Sequence, residues 1–199
     1  MILPFEPYNS QWKEQFEMIK GELILCLREL HPVIEHIGST AVEGLAAKPI
    51  IDIMVGVHTV EDLDEVPALL AGKNYVYYPK YNVDMPYRRY FVRLHESPHV
   101  LGVPHCIDIE DEIPERMQDH TLRFAHIHVI PITSEHWTRH LAFRDYLRAH
   151  PTVKEAYQVL KEQLVKQQWE SGNDYNEGKD SFVKREEQNA LRWYKEISK

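Results

Sequence analysis

"EHIGSTAVEGLAAKPIIDIMV", Glu35 to Val55, is the stretch on which the fold turns. "VIEHI" reads as a strand running into Gly38. "STAVEGLAA" is a short helix or turn, Pro49 restarts the chain, and "IIDIMVGV" is an apolar strand. Side chains alternate across a strand. Ile51, Ile53, Val55 and Val57 therefore share one face, and Ile50, Asp52, Met54 and Gly56 the other. An ionised carboxylate in an apolar strand is costly without a cation or donor to meet it, so Asp52 is the residue to explain. Gly38 lets the backbone approach a ligand closely. Ser39 and Thr40 add hydroxyls at a helix N-terminus, where free N–H groups favour anions. Lys48 adds a point charge, and Asp52, one strand over, is placed to hold a divalent metal bridging phosphates. A Gly-Ser-Thr alone is a common turn. The specific signal is its combination with Asp52, thirteen positions beyond Ser39, in a strand–turn–helix–strand context.

Outward from this stretch, "NSQWKEQFEMIKGELILCLREL" has helical spacing of Trp12, Phe16, Ile19, Leu23, Leu27 and Leu30, with Asn9 or Ser10 as cap and Pro32 as stop. "TVEDLDEVPALLAGKN" is a helix capped by Thr59, with a break expected at Pro67. "YVYYP", "YRRYFVRLH", "CIDIE" and "RFAHIHVIP" read as strands, and three helical stretches follow Pro131. This is an α+β layered chain with a C-terminal helical segment. Net charge is −8, which argues against a polynucleotide partner but not against a small anion held by local basic groups. The two cysteines, Cys26 and Cys106, have no CxxC spacing and read as reduced. Neither a signal peptide nor an apolar run of membrane-spanning length stands out, so a cytoplasmic setting without a membrane partner is expected.

"HIGSTAVEGLAAKPIIDI" resembles the signature of the GrpB family, a branch of the nucleotidyltransferase superfamily. The resemblance extends through "HIHV", "FRDYLRAHP", "YQVLKEQL" and the late Tyr175, Lys179 and Phe182. It implies a nucleotidyltransferase-like mixed β-sheet flanked by helices, with a core over residues 1–132 and a helical segment over 133–199 packed on it. Gly38 and Ser39 match the superfamily's glycine-serine turn, and Asp52 its first metal carboxylate. The second acid, expected two residues on, is replaced by Met54. Related domains fused to dephospho-CoA kinase imply an accessory role as well.

His126 and His128 share one strand face, so Asp52 with both imidazoles is a candidate metal and catalytic set for Mg²⁺, Mn²⁺ or Zn²⁺. The bland alternative is a pair of satisfied buried histidines. Gly38, Ser39, Thr40, Lys48, Arg144 and Lys179 are the candidate nucleotide-binding residues. His140, Arg144 and Arg148 form an i, i+4 basic stripe, and Arg89 and Arg93 share a face; a solvated surface is the alternative for such charges. Asp108 and Glu110 read as a solvated face. Tyr157, Trp169 and Tyr175 read as helix packing. Two functions stand. One is metal-dependent transfer of a nucleotidyl group from an NTP to an unknown small-molecule or protein acceptor. The other is a weak or inactive nucleotide- or partner-binding module. A broken histidine-triad reading of "HIHVIP" fails at Ile130.

Overall fold

The computed structural model describes residues 4–167 and 172–198. Its strands are β1 Val33–Ile37, β2 Ile51–Val57, β3 Tyr75–Tyr77, β4 Arg89–Leu94 and β5 Arg123–Pro131. They form one sheet in the order β1-β2-β5-β4-β3, mixed because only β2 and β5 run parallel. Its helices are α1 Gln11–Cys26, α2 Asp62–Leu70, the short α3 Pro98–Leu101, α4 Glu135–Ala149, α5 Pro151–Leu164 and α6 Gly172–Ile197. The arrangement is α+β, a sheet flanked by helices, as the sequence implies. No helix among the described residues is long and apolar enough to cross a membrane.

One sheet face is a continuous apolar core. Trp12, Phe16, Ile19 and Leu23 recur every three or four residues along α1, and all are buried. They meet Ile51, Ile53, Val55 and Val57 of β2 and Ala125, Ile127 and Val129 of β5. Each large aliphatic side chain so buried contributes about 1.5–3 kcal/mol. The helix starts where the Asn9 carboxamide oxygen accepts from the Gln11 N–H at 3.0 Å. Helix α2 joins this face through Leu63, Val66 and Leu70. It opens with a reciprocal cap. The Thr59 hydroxyl accepts from Asp62 N–H, and the Asp62 carboxylate accepts from the N–H groups of Thr59 and His58. The helix runs on past Pro67, where a break was expected, anchored by that cap and by its buried residues.

The other face is divided. Val76, Tyr78, Val92, Leu94, Leu101 and Ile107 form an apolar cluster over β3 and β4. Ile37, Met54, Ile130 and Trp137 form another at the far end of β2. Between them β2 and β5 carry Asp52, His126 and His128. Trp137 sets α4 on this face. Tyr157 of α5 stacks on Phe182 of α6 at 5.2 Å and packs with Val42, Leu45 and Leu147. Trp169 and the side chain of Tyr175 lie outside the described residues.

"CIDIE" is not a strand. Cys106 makes an isolated bridge to Tyr77, after which the chain turns. Asp108 and Asp111 cause the turn, because their carboxylates accept from the Ile109 and Asp108 N–H groups, each at 2.8 Å, and so compete with a ladder. Asp108 and Glu110 are exposed there, as a solvated segment requires.

Gly56 lies under α4. A Cβ there would stand 2.4 Å from the Ile132 side chain and 2.7 Å from the Trp137 ring. Gly56→Ala is expected to lower stability by about 1–3 kcal/mol through overpacking, read as a lower urea midpoint with unchanged slope. An unchanged midpoint would show that α4 does not seat on β2 in this way.

Candidate functional site at the centre of the sheet

In-register parallel pairing sets Asp52 opposite His126 and Met54 opposite His128. The strand period then puts all four on one face. His126 Nδ1 lies 3.1 Å from Asp52 Oδ1. A carboxylate only accepts, so Nδ1 carries the proton, which leaves Nε2 as the ring's other polar atom. That Nε2 is buried and has no hydrogen-bond partner. His128 has the opposite arrangement. Its Nδ1 lies 3.2 Å from the Arg88 guanidinium, a group that only donates, so Nδ1 accepts and the proton sits on Nε2. Burial and the Arg88 charge push the His128 pKa well below its usual value. The two rings thus meet opposite partners, His126 a carboxylate and His128 a guanidinium.

Asp52 keeps 34% of its side-chain surface accessible although it sits on an interior strand. Solvent therefore reaches the carboxylate from this face. Burial by itself would raise its carboxyl pKa, but the His126 hydrogen bond and the nearby charges, Lys179 among them, outweigh burial and hold it below the usual carboxylate range. Gly38 explains the turn. It sits at φ 71°, ψ −170°, a region open essentially to glycine, and a Cβ would fall 2.5 Å from Asp52 Oδ2. The glycine and the carboxylate touch across the β1–β2 end.

The cationic side chains around this pair are recessed. Burial, then the charge of Lys179, lowers Lys48 to about 8. Burial lowers Lys179 to about 8, with Asp52 opposing the shift. Lys161 is 2% exposed, and burial lowers it to about 7. Its ammonium donates to the Ser39 hydroxyl at 3.3 Å and to the Ala46 carbonyl, tying α5 to the glycine turn. Lys161 escaped the sequence reading. The signal was there: it occupies the apolar face of α5, between Tyr157 and Leu164.

Other expected site residues are elsewhere. After Gly38 comes one 3-10 turn, Ser39–Ala41, too short to act as a helix N-terminus. Thr40 is buried, with its hydroxyl 2.9 Å from His36 Nε2 on the α1 side. Arg144 holds Glu35, the His36 carbonyl and Asp145. Thr40 and Arg144 line a separate groove of about 800 Å³ that Asp52 and His126 do not line. The basic stripe of α4 is solvated only at Arg148, which is exposed while donating to the Ala41 carbonyl; Arg144 is recessed, and His140 lies 6.4 Å from the His128 ring. Arg89 and Arg93 share the α1–α2 side, paired with Asp64 and Glu22. As for metal, Met54 is 0% exposed among apolar neighbours, His128 is engaged by a cation, and no three His, Cys, Asp or Glu side chains among the described residues converge in a metal-holding arrangement. The donor set does not fit a two-metal clamp.

A recessed carboxylate–imidazole pair under basic side chains, at the centre of a mixed sheet, defines an α+β protein with one polar site on its second face. The sequence profile of the GrpB protein family matches residues 4–189. The chain belongs to the GrpB family. It is 35% identical over 188 residues to the UPF0157 protein YqkA of Bacillus subtilis, covering 94% of this chain and 47% of YqkA, so it spans about half the length of that relative. It is 30% identical over 177 residues to the glutamate-rich protein GrpB of Alkalihalophilus pseudofirmus, covering 88% of each. The crystal structure of conserved protein GrpB from Enterococcus faecalis superposes with a TM-score of 0.73 at 32% identity, covering 96% of this chain and 98% of that one.

Two outcomes follow from the geometry. Long-range ¹H–¹⁵N correlation spectra at pH 8 should show His126 protonated on Nδ1 and His128 on Nε2; the same tautomer in both would contradict the two hydrogen bonds. Gly38→Ala should cost about 1–3 kcal/mol in a denaturant titration, and Asp52→Ala should relieve part of that loss in the double variant, since the added Cβ meets the Asp52 carboxylate.

Proposed function

We propose that the protein binds a nucleoside triphosphate over the Gly38–Asp52 face and transfers its nucleotidyl group to an acceptor hydroxyl, with His126 as the general base. The observation that carries this reading is the buried, unpartnered Nε2 of His126, whose ring is oriented by Asp52, a carboxylate that feels the charge of Lys179 and acts on Lys48. In the transfer, the acceptor hydroxyl gives its proton to His126 Nε2 as its oxygen bonds the α-phosphorus. The α–β phosphoanhydride bond breaks and pyrophosphate leaves. Asp52 stabilises the imidazolium that forms. Lys48 and Lys179 supply positive charge for the phosphates, and Lys161 fixes the Ser39 turn. A divalent cation would arrive with the nucleotide as its counter-ion, since the protein's donors do not form a clamp.

The replacement of the second acid supports a second reading, a nucleotide-binding module without turnover. A carboxylate at Met54 would stand unpaired among Ile37, Ile130 and Trp137.

The test is calorimetric titration of each of the four NTPs, with Mg²⁺, Mn²⁺, Zn²⁺ or EDTA. One or more NTPs should bind, and binding should persist in EDTA. Because Lys48 and Lys179 titrate near 8, an arriving polyanion raises their pKa values and protons are taken up. At pH 8 the apparent enthalpy should therefore vary with buffer ionisation enthalpy in the sense of uptake, and affinity should fall as pH rises from 7 to 9. Lys48→Ala should weaken binding about tenfold. His126→Gln should leave binding within about threefold but abolish pyrophosphate release, and release absent from the wild type as well would select the module. No binding of any NTP would refute both readings.

The same lysines shape stability. Each has a folded pKa below its unfolded value near 10.5, so between about 8 and 10.5 the unfolded chain holds more protons. Their contribution to stability therefore improves as pH rises through that window. Changing Lys161 to Met should reduce this alkaline gain in urea melts at pH 7 and 10. An undiminished gain would show that Lys161 is not a recessed ammonium.

A further inference from the structure

Beyond His126, on the side away from Asp52, lies a group of polar atoms that neither the fold nor the proposed transfer uses. Tyr78 Oη, His120 Nδ1 and Arg123 Nε are each buried and without a hydrogen-bond partner. Orphaned buried polar atoms are rare, because each costs about 1–3 kcal/mol. Four of them, counting His126 Nε2, fall in one neighbourhood. The Tyr78 ring is 5.6 Å from that of Tyr90, which is 5.8 Å from that of His126. The charge of Arg123 acts on Tyr78, Tyr90, His120 and Lys48, and His120 also feels Lys48 and His126. Arg123 spends one nitrogen on the Met117 carbonyl and, among the described residues, none on an acid. His120 has a carboxylate near it, Asp119, but that group is turned to the backbone and hydroxyl of Thr121. This neighbourhood therefore holds a guanidinium, a phenol and an imidazole whose buried atoms meet no acid among the described residues, linked to His126 through the Tyr90 ring.

We propose that Tyr78, His120 and Arg123 form an acceptor subsite that takes the anionic group, carboxylate or phosphate, of a small hydroxyl-bearing molecule. This rests on the transfer reading for the word acceptor; the anion site itself does not. Arg123 pairs with the anion through its free edge, Tyr78 Oη donates to it, and His120 Nδ1 adds a donor in its protonated-Nδ1 tautomer. Lys48, felt from both sides, borders the nucleotide and the acceptor. The anion anchors one end of the molecule, and its hydroxyl is directed to His126 Nε2, whose lone pair needs a proton donor. An acceptor so held is small and negatively charged, which separates it from a protein side chain presented on a folded surface.

The test uses inorganic phosphate and acetate as probes, titrated into the full chain while the Arg123 Nε–H resonance is followed by ¹H–¹⁵N spectroscopy, with and without saturating NTP in EDTA. The expected result is a saturable shift of that resonance that persists when nucleotide is bound. A response to phosphate alone assigns a phosphate-bearing acceptor, and a response to acetate a carboxylate. Tyr78→Phe is the clean variant, because it removes a hydroxyl that bonds nothing in the protein and leaves the ring packing intact; it should weaken the anion about tenfold without lowering the melting temperature. Arg123→Gln should abolish the anion response and leave NTP affinity within about threefold. Absence of any shift overturns the proposal. So does a shift that NTP competes away, because the cluster would then belong to the nucleotide's own phosphates. If no NTP binds but the anion shift is present, the transfer reading fails and the anion site stands.

Discussion

The parallel register between β2 and β5 is the constraint on which the site depends. It sets Asp52 against His126 and, two residues on, Met54 against His128. A shift of one residue would send the imidazoles into the α1 core and Ile127 toward the carboxylate. The core prevents it, because Ile51, Ile53 and Val55 must lie with Ala125, Ile127 and Val129 beneath α1. Apolar packing on one face thus fixes polar chemistry on the other. The cost of a carboxylate on an interior strand is offset by the His126 hydrogen bond and by lysine charge, and Gly38 leaves the space in which that carboxylate sits.

The same face shows how a polar site is enclosed without flooding the fold. Apolar clusters around Val92 and around Met54 border it on either side. Helix α5 closes a third side through Lys161, whose ammonium is committed to Ser39 and Ala46. Asp52 stands at the centre, with Lys48, Lys161 and Lys179 recessed and their pKa values lowered by burial.

Much of this was legible in the sequence because it follows from periodicity. Trp12 to Leu23 at helical spacing, the alternation through Ile51 to Val57, and the shared face of His126 and His128 are local signals, and a burial face decides them. Gly38 was legible as a needed glycine, though its contact with the Asp52 carboxylate was not. What the sequence concealed is long-range. Nothing local says that Thr40 turns to His36, that Arg144 is consumed by Glu35, or that Arg88 caps His128. A basic side chain looks equally available until its partner, a hundred residues away, is placed. "CIDIE" misled because its apolar alternation matched a strand while its aspartates closed a turn. His120 and Arg123 carried no motif at all; their significance lies only in lacking partners where they are buried.

The most direct measurement of the central claim is a crystal structure of the protein with a non-hydrolysable nucleoside triphosphate, grown in EDTA. The account predicts the triphosphate over the Gly38 turn, its phosphates near Lys48 and Lys179, and its α-phosphorus facing His126 Nε2 with Asp52 still on Nδ1. A nucleotide bound instead in the groove beside Thr40 and Arg144, or a triphosphate directed away from His126, would contradict it.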